Sequence, residues 1–112
     1  MALELRRIVY FTANMPGMTA FYRDVLGLEQ VSDEDGWKVF RAGGCSIALH
    51  RGARPSPKRS PKIAFYAADV AAARAALVKK GAVMGEVSSG GTIDFCDGKD
   101  PDGNAFSISS RP

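Results

Sequence analysis

One short pattern occurs twice in this chain. Ile8-Val9-Tyr10-Phe11-Thr12-Ala13-Asn14-Met15 overlays Ile63-Ala64-Phe65-Tyr66-Ala67-Ala68-Asp69-Val70 at a constant offset of 55 (63 − 8), about half of the 112 residues. Each copy is an apolar, β-rich run that ends in Asn or Asp and leads into a helical pattern. A repeat of this period is one supersecondary unit used twice, with neither copy able to bury its apolar face alone. A ligand site is therefore expected between the copies.

In the first copy, Leu3 to Thr12 reads as a strand without a breaker. Asn14-Met15-Pro16-Gly17 is a turn feeding a helix, with Asn14 or Thr19 as the N-cap. Met18, Phe21, Tyr22, Val25 and Leu26 fall at helical spacing, and Gly27 closes that helix, where positive φ carries no Cβ penalty. Leu28–Ser32, Trp37–Arg41 and Cys45–Arg51 read as strands, with turn dipeptides Asp35-Gly36 and Gly43-Gly44 between them. The second copy repeats the order: strand Lys62–Ala67, N-cap Asp69, helix Val70 to Lys80, Gly81, then strands Val83–Ser88, Thr92–Asp97 and Ala105–Ser109. The expected layout is one domain over 1–112, with module one at 1–53, a linker at 54–60 and module two at 61–112. Three prolines and several cations between Arg51 and Pro61 mark that linker as exposed.

Bulk properties exclude little. Net charge is +3, the apolar fraction is 46% and the charged fraction 24%, as in ordinary globular domains. No apolar run is long enough to span a bilayer. The start, Met-Ala-Leu-Glu-Leu-Arg-Arg, has no apolar core and no cleavage pattern of a secretion signal. A cytoplasmic location is expected, with Cys45 and Cys96 as reduced thiols. The linker cations lack interleaved aromatics and a recognition helix, so neither nucleic acid nor membrane is an expected partner.

Phe21-Tyr22-Arg23-Asp24-Val25-Leu26-Gly27-Leu28 resembles the first-helix signature of the glyoxalase / bleomycin-resistance / extradiol-dioxygenase superfamily, the vicinal oxygen chelate (VOC) proteins. Asp100-Pro101-Asp102-Gly103-Asn104 resembles its turn before the last strand. The resemblance covers essentially the whole chain. It implies an α+β fold of two tandem βαβββ modules, whose curved mixed sheets enclose a cavity, and a homodimer.

It also implies four positions at which the metal enzymes of the family hold a divalent ion. The first lies in strand one, 14 residues before the Phe of Phe-Tyr, and here it is Arg7. The second falls in the fourth strand at Ala48, the third opens the second module at Lys62, and the fourth, four residues after the turn glycine, is Ser107. A guanidinium offers no acceptor, alanine has no donor atom, an ammonium repels a dication, and a lone serine hydroxyl is a poor ligand. No metal and no other cofactor is expected, and none of the family's metal-dependent activities is carried over.

Other residues follow from strand alternation. His50 lies two positions beyond Ala48 and so on the same face. It reads as a hydrogen-bonding histidine at a strand end, as a ligand contact, or as a general base. Arg7 and Lys62 either pair with an acid such as Asp94 or form a basic floor for a carboxylate, phosphate or enolate. Val9, Phe11, Ala64 and Tyr66 share their face, a mix of apolar wall and few polar groups typical of small-molecule sites. Trp37, the only tryptophan, is available for stacking or for plain packing.

The expected function is metal-free binding or sequestration of an aromatic or anionic compound, with Arg7, Val9, Phe11, Trp37, Ala48, His50, Lys62, Ala64, Tyr66 and Ser107 as contacts. The alternative is an enzyme of the same fold, a lyase, isomerase or dioxygenase-like protein. It would use Arg7, Lys62 and His50 in place of a metal, with His50 or Tyr66 moving a proton.

Overall fold

A computed structural model describes residues 5–53 and 61–112. The strand start at Leu3 and the linker at 54–60 lie outside the described residues. The chain divides into two units, Met1–Pro55 and Ser56–Pro112.

In the first unit, β1 (Arg7–Thr12) leads into α1 (Met15–Ala20). β2 (Glu29–Glu34), β3 (Trp37–Ala42) and β4 (Cys45–Arg51) follow. The sheet order is β1-β4-β3-β2, with β1 and β4 parallel and the other neighbours antiparallel. Asn14 caps α1: its side-chain oxygen accepts from Gly17 N at 3.2 Å, and Pro16 occupies the first turn, where no N–H is needed. The helix thus opens three residues earlier than its apolar spacing predicts. It continues as a π-helical turn, Phe21–Val25, in which Leu26 N donates to Phe21 O at 2.9 Å. Gly27 then takes φ 71°. The wider turn carries Phe21 and Tyr22 into the core, where Tyr22 meets Tyr10, Phe21 and Phe40 at ring separations of 5.4 to 6.3 Å. β2 runs to Glu34, past the predicted Ser32, with a bulge between Gln30 and Ser32.

The second unit repeats this plan. β5 (Ile63–Tyr66) leads into α2 (Val70–Lys79), then β6 (Val83–Met84), β7 (Phe95–Lys99) and β8 (Ala105–Ser109), in the order β5-β8-β7-β6. Asp69, 55 residues after Asn14, caps α2 by accepting from Ala72 N at 3.0 Å. Gly81 ends the segment at φ 98°. Val70, Cys96, Phe106 and Ile108 are buried, and burial raises the Cys96 thiol pKa.

Two strands depart from expectation. β6 stops at Met84, not Ser88. Gly85 N still donates to Asp97 O at 2.7 Å and Ser88 forms an isolated bridge with Phe95; between them Gly85 O accepts from Arg74 Nε at 2.7 Å. β7 begins at Phe95, not Thr92, and runs through Gly98 to Lys99, where Met84 and Phe106 fill the space beside that glycine. Together the units form an α+β fold of two four-stranded mixed sheets. Among the described residues, no helix is long and apolar enough to cross a membrane.

Candidate functional site

Helix α1 packs on one face of the first sheet, and the burial of β1 alternates accordingly: Tyr10 and Thr12 are buried, while Arg7, Val9 and Phe11 are exposed. Strand register extends the second face. Val9 sits beside Ala48 and Ala48 beside Val39; Phe11 sits beside His50 and His50 beside Trp37. Strand alternation groups Arg7 with Val9 and Phe11, and His50 with Ala48; it does not place Trp37 or Val39 on that face.

The His50 ring is 5.0 Å from Phe11 and meets Trp37 edge-on at 5.8 Å. Arg7 reaches diagonally across the face and places its guanidinium carbon 5.8 Å from the Trp37 ring centroid, a cation–π contact. Trp37 is half-buried under that cover. His50 Nδ1 lies 2.8 Å from Arg51 O; with Nδ1 donating to the carbonyl, the neutral ring presents Nε2 as an acceptor. Gly52 seats Phe11: a Cβ there would stand 2.9 Å from Phe11 Cδ1. The result is an aromatic patch carrying one permanent cation and one imidazole.

On the second sheet, Ala64 pairs with Ser107 and Ser107 with Asp97, while Tyr66 pairs with Ser109. Lys62, Ala64 and Tyr66 are exposed and Ser107 is buried. Lys62 Nζ is 3.3 Å from Asp97 Oδ1. Its acidic partner is thus Asp97, not Asp94, whose backbone is bonded to Ser110 instead. The basic floor therefore changes character: the Lys62 charge is met by a carboxylate and the Arg7 charge lies over an indole. Sequence reasoning missed Asp97, since nothing short of the β7–β8 register brings it to Lys62.

The four positions implied by the metal enzymes do not fit a divalent ion. Arg7 is a cation stacked on Trp37, Ala48 has no donor atom and is fully buried, and Lys62 is an ammonium already ion-paired. The Ser107 hydroxyl alone is insufficient. Among the described residues, no three His, Cys, Asp or Glu side chains group closely enough to hold a metal.

Two βαβββ units, each with a mixed sheet packed against one helix, define a paired-module α+β protein. The chain belongs to the Glyoxalase/Bleomycin resistance protein/Dioxygenase superfamily, whose family model matches residues 4–108. Among solved structures, it is similar to the integron cassette protein VCH_CASS1 from the mobile metagenome of V. cholerae. The two are 27% identical over 100% of this chain and 98% of that chain, with a TM-score of 0.76. A lactoylglutathione lyase from Agrobacterium tumefaciens matches at 20% identity, 97% and 94% coverage and TM-score 0.76. TnmS3, an antibiotic binding protein from Streptomyces, matches at 19% identity, 96% coverage of both chains and TM-score 0.79. These last two likenesses are of fold alone. No curated protein matches the chain.

Proposed function

We propose that this protein binds a small aromatic or anionic compound without a metal, and that the exposed face of the first sheet is the principal contact surface. The observation that carries this reading is the Arg7–Trp37–His50–Phe11 cluster, which pairs ring surfaces with a fixed cation. A planar anion gains stacking on the rings and charge-assisted hydrogen bonds to the guanidinium. Val9 supplies the apolar wall beside it, whereas the predicted contact Ala48 is fully buried and offers no surface to a ligand. Lys62, Ala64 and Tyr66, on the second unit, are proposed as further contacts, with Ser107 buried beneath them. An antibiotic binding protein of the same fold supports sequestration as a use for that fold. The working protein is read as a cytoplasmic homodimer whose modules span 1–53 and 61–112.

A second reading, metal-independent proton-transfer catalysis, is favoured by the His50 tautomer, which leaves Nε2 available to a substrate proton. The Lys62–Asp97 pair weighs against Lys62 as an oxyanion donor.

Titration with 8-anilinonaphthalene-1-sulfonate, an aromatic anion, tests the binding reading. Saturable binding should persist in EDTA and weaken about tenfold in Arg7→Ala, the equivalent of ~1.4 kcal/mol. Unchanged affinity in both Arg7→Ala and Trp37→Phe, or a requirement for a divalent ion, rejects it. Turnover that survives EDTA and is lost in His50→Ala establishes the second reading.

A further inference from the structure

We infer that the first unit carries a second binding site, on the helix side of its sheet, for a small organic anion with a carboxylate or phosphate head group. A cavity of about 580 Å³ opens there between α1 and the β2–β3 hairpin. That volume falls within the roughly 300–1,000 Å³ of small-molecule sites. Thr12 and Lys38, which line it, project from strand positions opposite in face to Phe11 and Trp37, so the cavity does not share the Arg7–Trp37 surface.

Three separate segments each deliver a cation to the lining: Arg23 from the π-helical turn, Lys38 from β3 and Arg51 from the end of β4. Ala13, Met15 and Pro16 give the cavity an apolar wall. Two carboxylates in the lining, Asp33 and Asp35, stand against the three cations, and the third partner, Asp24, lies outside it. Lys38 pairs with Asp33, and Arg51 Nη2 donates to Asp35 at 2.6 Å. Arg23 donates to both carboxylate oxygens of Asp24, from Nε at 2.8 Å and from Nη2 at 2.9 Å. That pair is exposed on both sides, with side-chain exposures of 48% and 58%. The two bonds occupy only the Nε and Nη2 donors, so the Arg23 Nη1 donors can still meet an incoming acceptor.

Guanidinium forks match carboxylate and phosphate oxygens two at a time. An anionic head group would therefore lie between Arg23 and Arg51, with its organic body on Met15 and Pro16. The helix geometry agrees. Arg23 belongs to a single π-helical turn, a conformation found often at functional sites.

Amide NMR titrations with benzoate, phenyl phosphate, inorganic phosphate and phenol test this site independently of the Arg7 patch. At least one organic anion should give saturable shifts at Gly36, Lys38 and Arg51, and the tighter of the two names the head group. Charge reversal in Arg23→Glu should weaken that binding about tenfold. Arg51→Gln should weaken it as well, and Arg7→Ala should leave it unchanged. Shifts confined to Arg7, Trp37 and His50 overturn the inference while leaving the first site intact. Retained affinity in Arg23→Glu overturns it too. Equal binding of inorganic phosphate or of phenol overturns the organic or the anionic part, respectively.

Discussion

The Arg7 guanidinium carbon lies 5.8 Å from the centroid of the Trp37 ring, although the strand partner of Arg7 is Ser46 and that of Trp37 is His50. The contact is diagonal across the sheet and joins the first residue of β1 to the first of β3. At an exposed site a cation–π contact is worth about 0.5–1 kcal/mol. Arg7→Ala should lower the unfolding free energy by no more than that, and Arg7→Lys by less. Because Trp37 is the only tryptophan, its fluorescence follows the unfolding and the local change together. A loss of several kcal/mol in urea denaturation would mean that Arg7 supports the fold beyond this contact.

The Lys62–Asp97 pair makes a different prediction. Both side chains are about half exposed, at 52% and 54%, and their closest atoms are 3.3 Å apart. Solvent screening at such exposure limits the interaction to ~0–1 kcal/mol. A double-mutant cycle with Lys62→Ala and Asp97→Ala should give a coupling in that range, shrinking as salt rises to 1 M. A coupling that salt does not diminish would contradict an exposed pair.

Much of this architecture is legible in the amino-acid pattern, for local reasons. Asn14 and Asp69 stand 55 residues apart and both cap helices, since a short polar side chain before an apolar run satisfies a helix N-terminus wherever it occurs. β4 and β8 match their predicted bounds because β-branched or apolar runs are closed by turn residues on both sides. Faces also followed from period-two alternation, which groups Arg7, Val9 and Phe11. Register and packing stayed hidden. Pairing of Asp97 with Ser107 is set by three strands together, so Lys62 could not be matched to its true partner by spacing alone. Gly98 falls just past the predicted strand end at Asp97, yet it continues β7 because neighbouring side chains occupy its missing Cβ position. The π-helical turn was likewise invisible, as the apolar spacing of Phe21, Tyr22 and Val25 is compatible with an ordinary helix. The second cavity stayed hidden too, because only the fold brings α1, β3 and β4 to one opening.

Asp35 gives a pH-dependent signature. Its carboxyl is held below the usual range, first by the hydrogen bonds from Arg51 and then by the Arg51 charge. A folded-state pKa below the unfolded value of ~3.9 means stability that is present above about pH 4 and lost as pH falls through the lower folded value. The carboxyl carbon of Asp35 should therefore titrate below ~3.9 in the native protein and return toward that value in Arg51→Ala. Asp35→Asn should weaken the protein slightly at pH 7 and not at all once the carboxyl is protonated in both states. An ordinary midpoint in the parent protein would show that the ion pair does not persist in solution.

Gly98 lies inside β7, where glycine ordinarily weakens a strand and alanine would be the more stable residue. On backbone grounds alone, Gly98→Ala should stabilise by ~0.4–1 kcal/mol. The surroundings reverse that sign. A Cβ at this position would stand 2.5 Å from Met84 Sδ and 2.9 Å from Phe106 Cζ. The thioether can swing aside, whereas the Phe106 ring is 2% exposed and is held by Phe65 at 6.0 Å. Gly98→Ala should thus destabilise by about 1–3 kcal/mol, the usual range for overpacking. Shortening one of the two neighbours separates the causes. Because the thioether yields by itself, adding Met84→Ala to Gly98→Ala should recover little of the loss, leaving the double variant close to the sum of the single changes. Strict additivity in chemical denaturation would place the strain against Phe106 alone, and a stabilised Gly98→Ala would mean that the β6–β7 edge packs more loosely than these distances require.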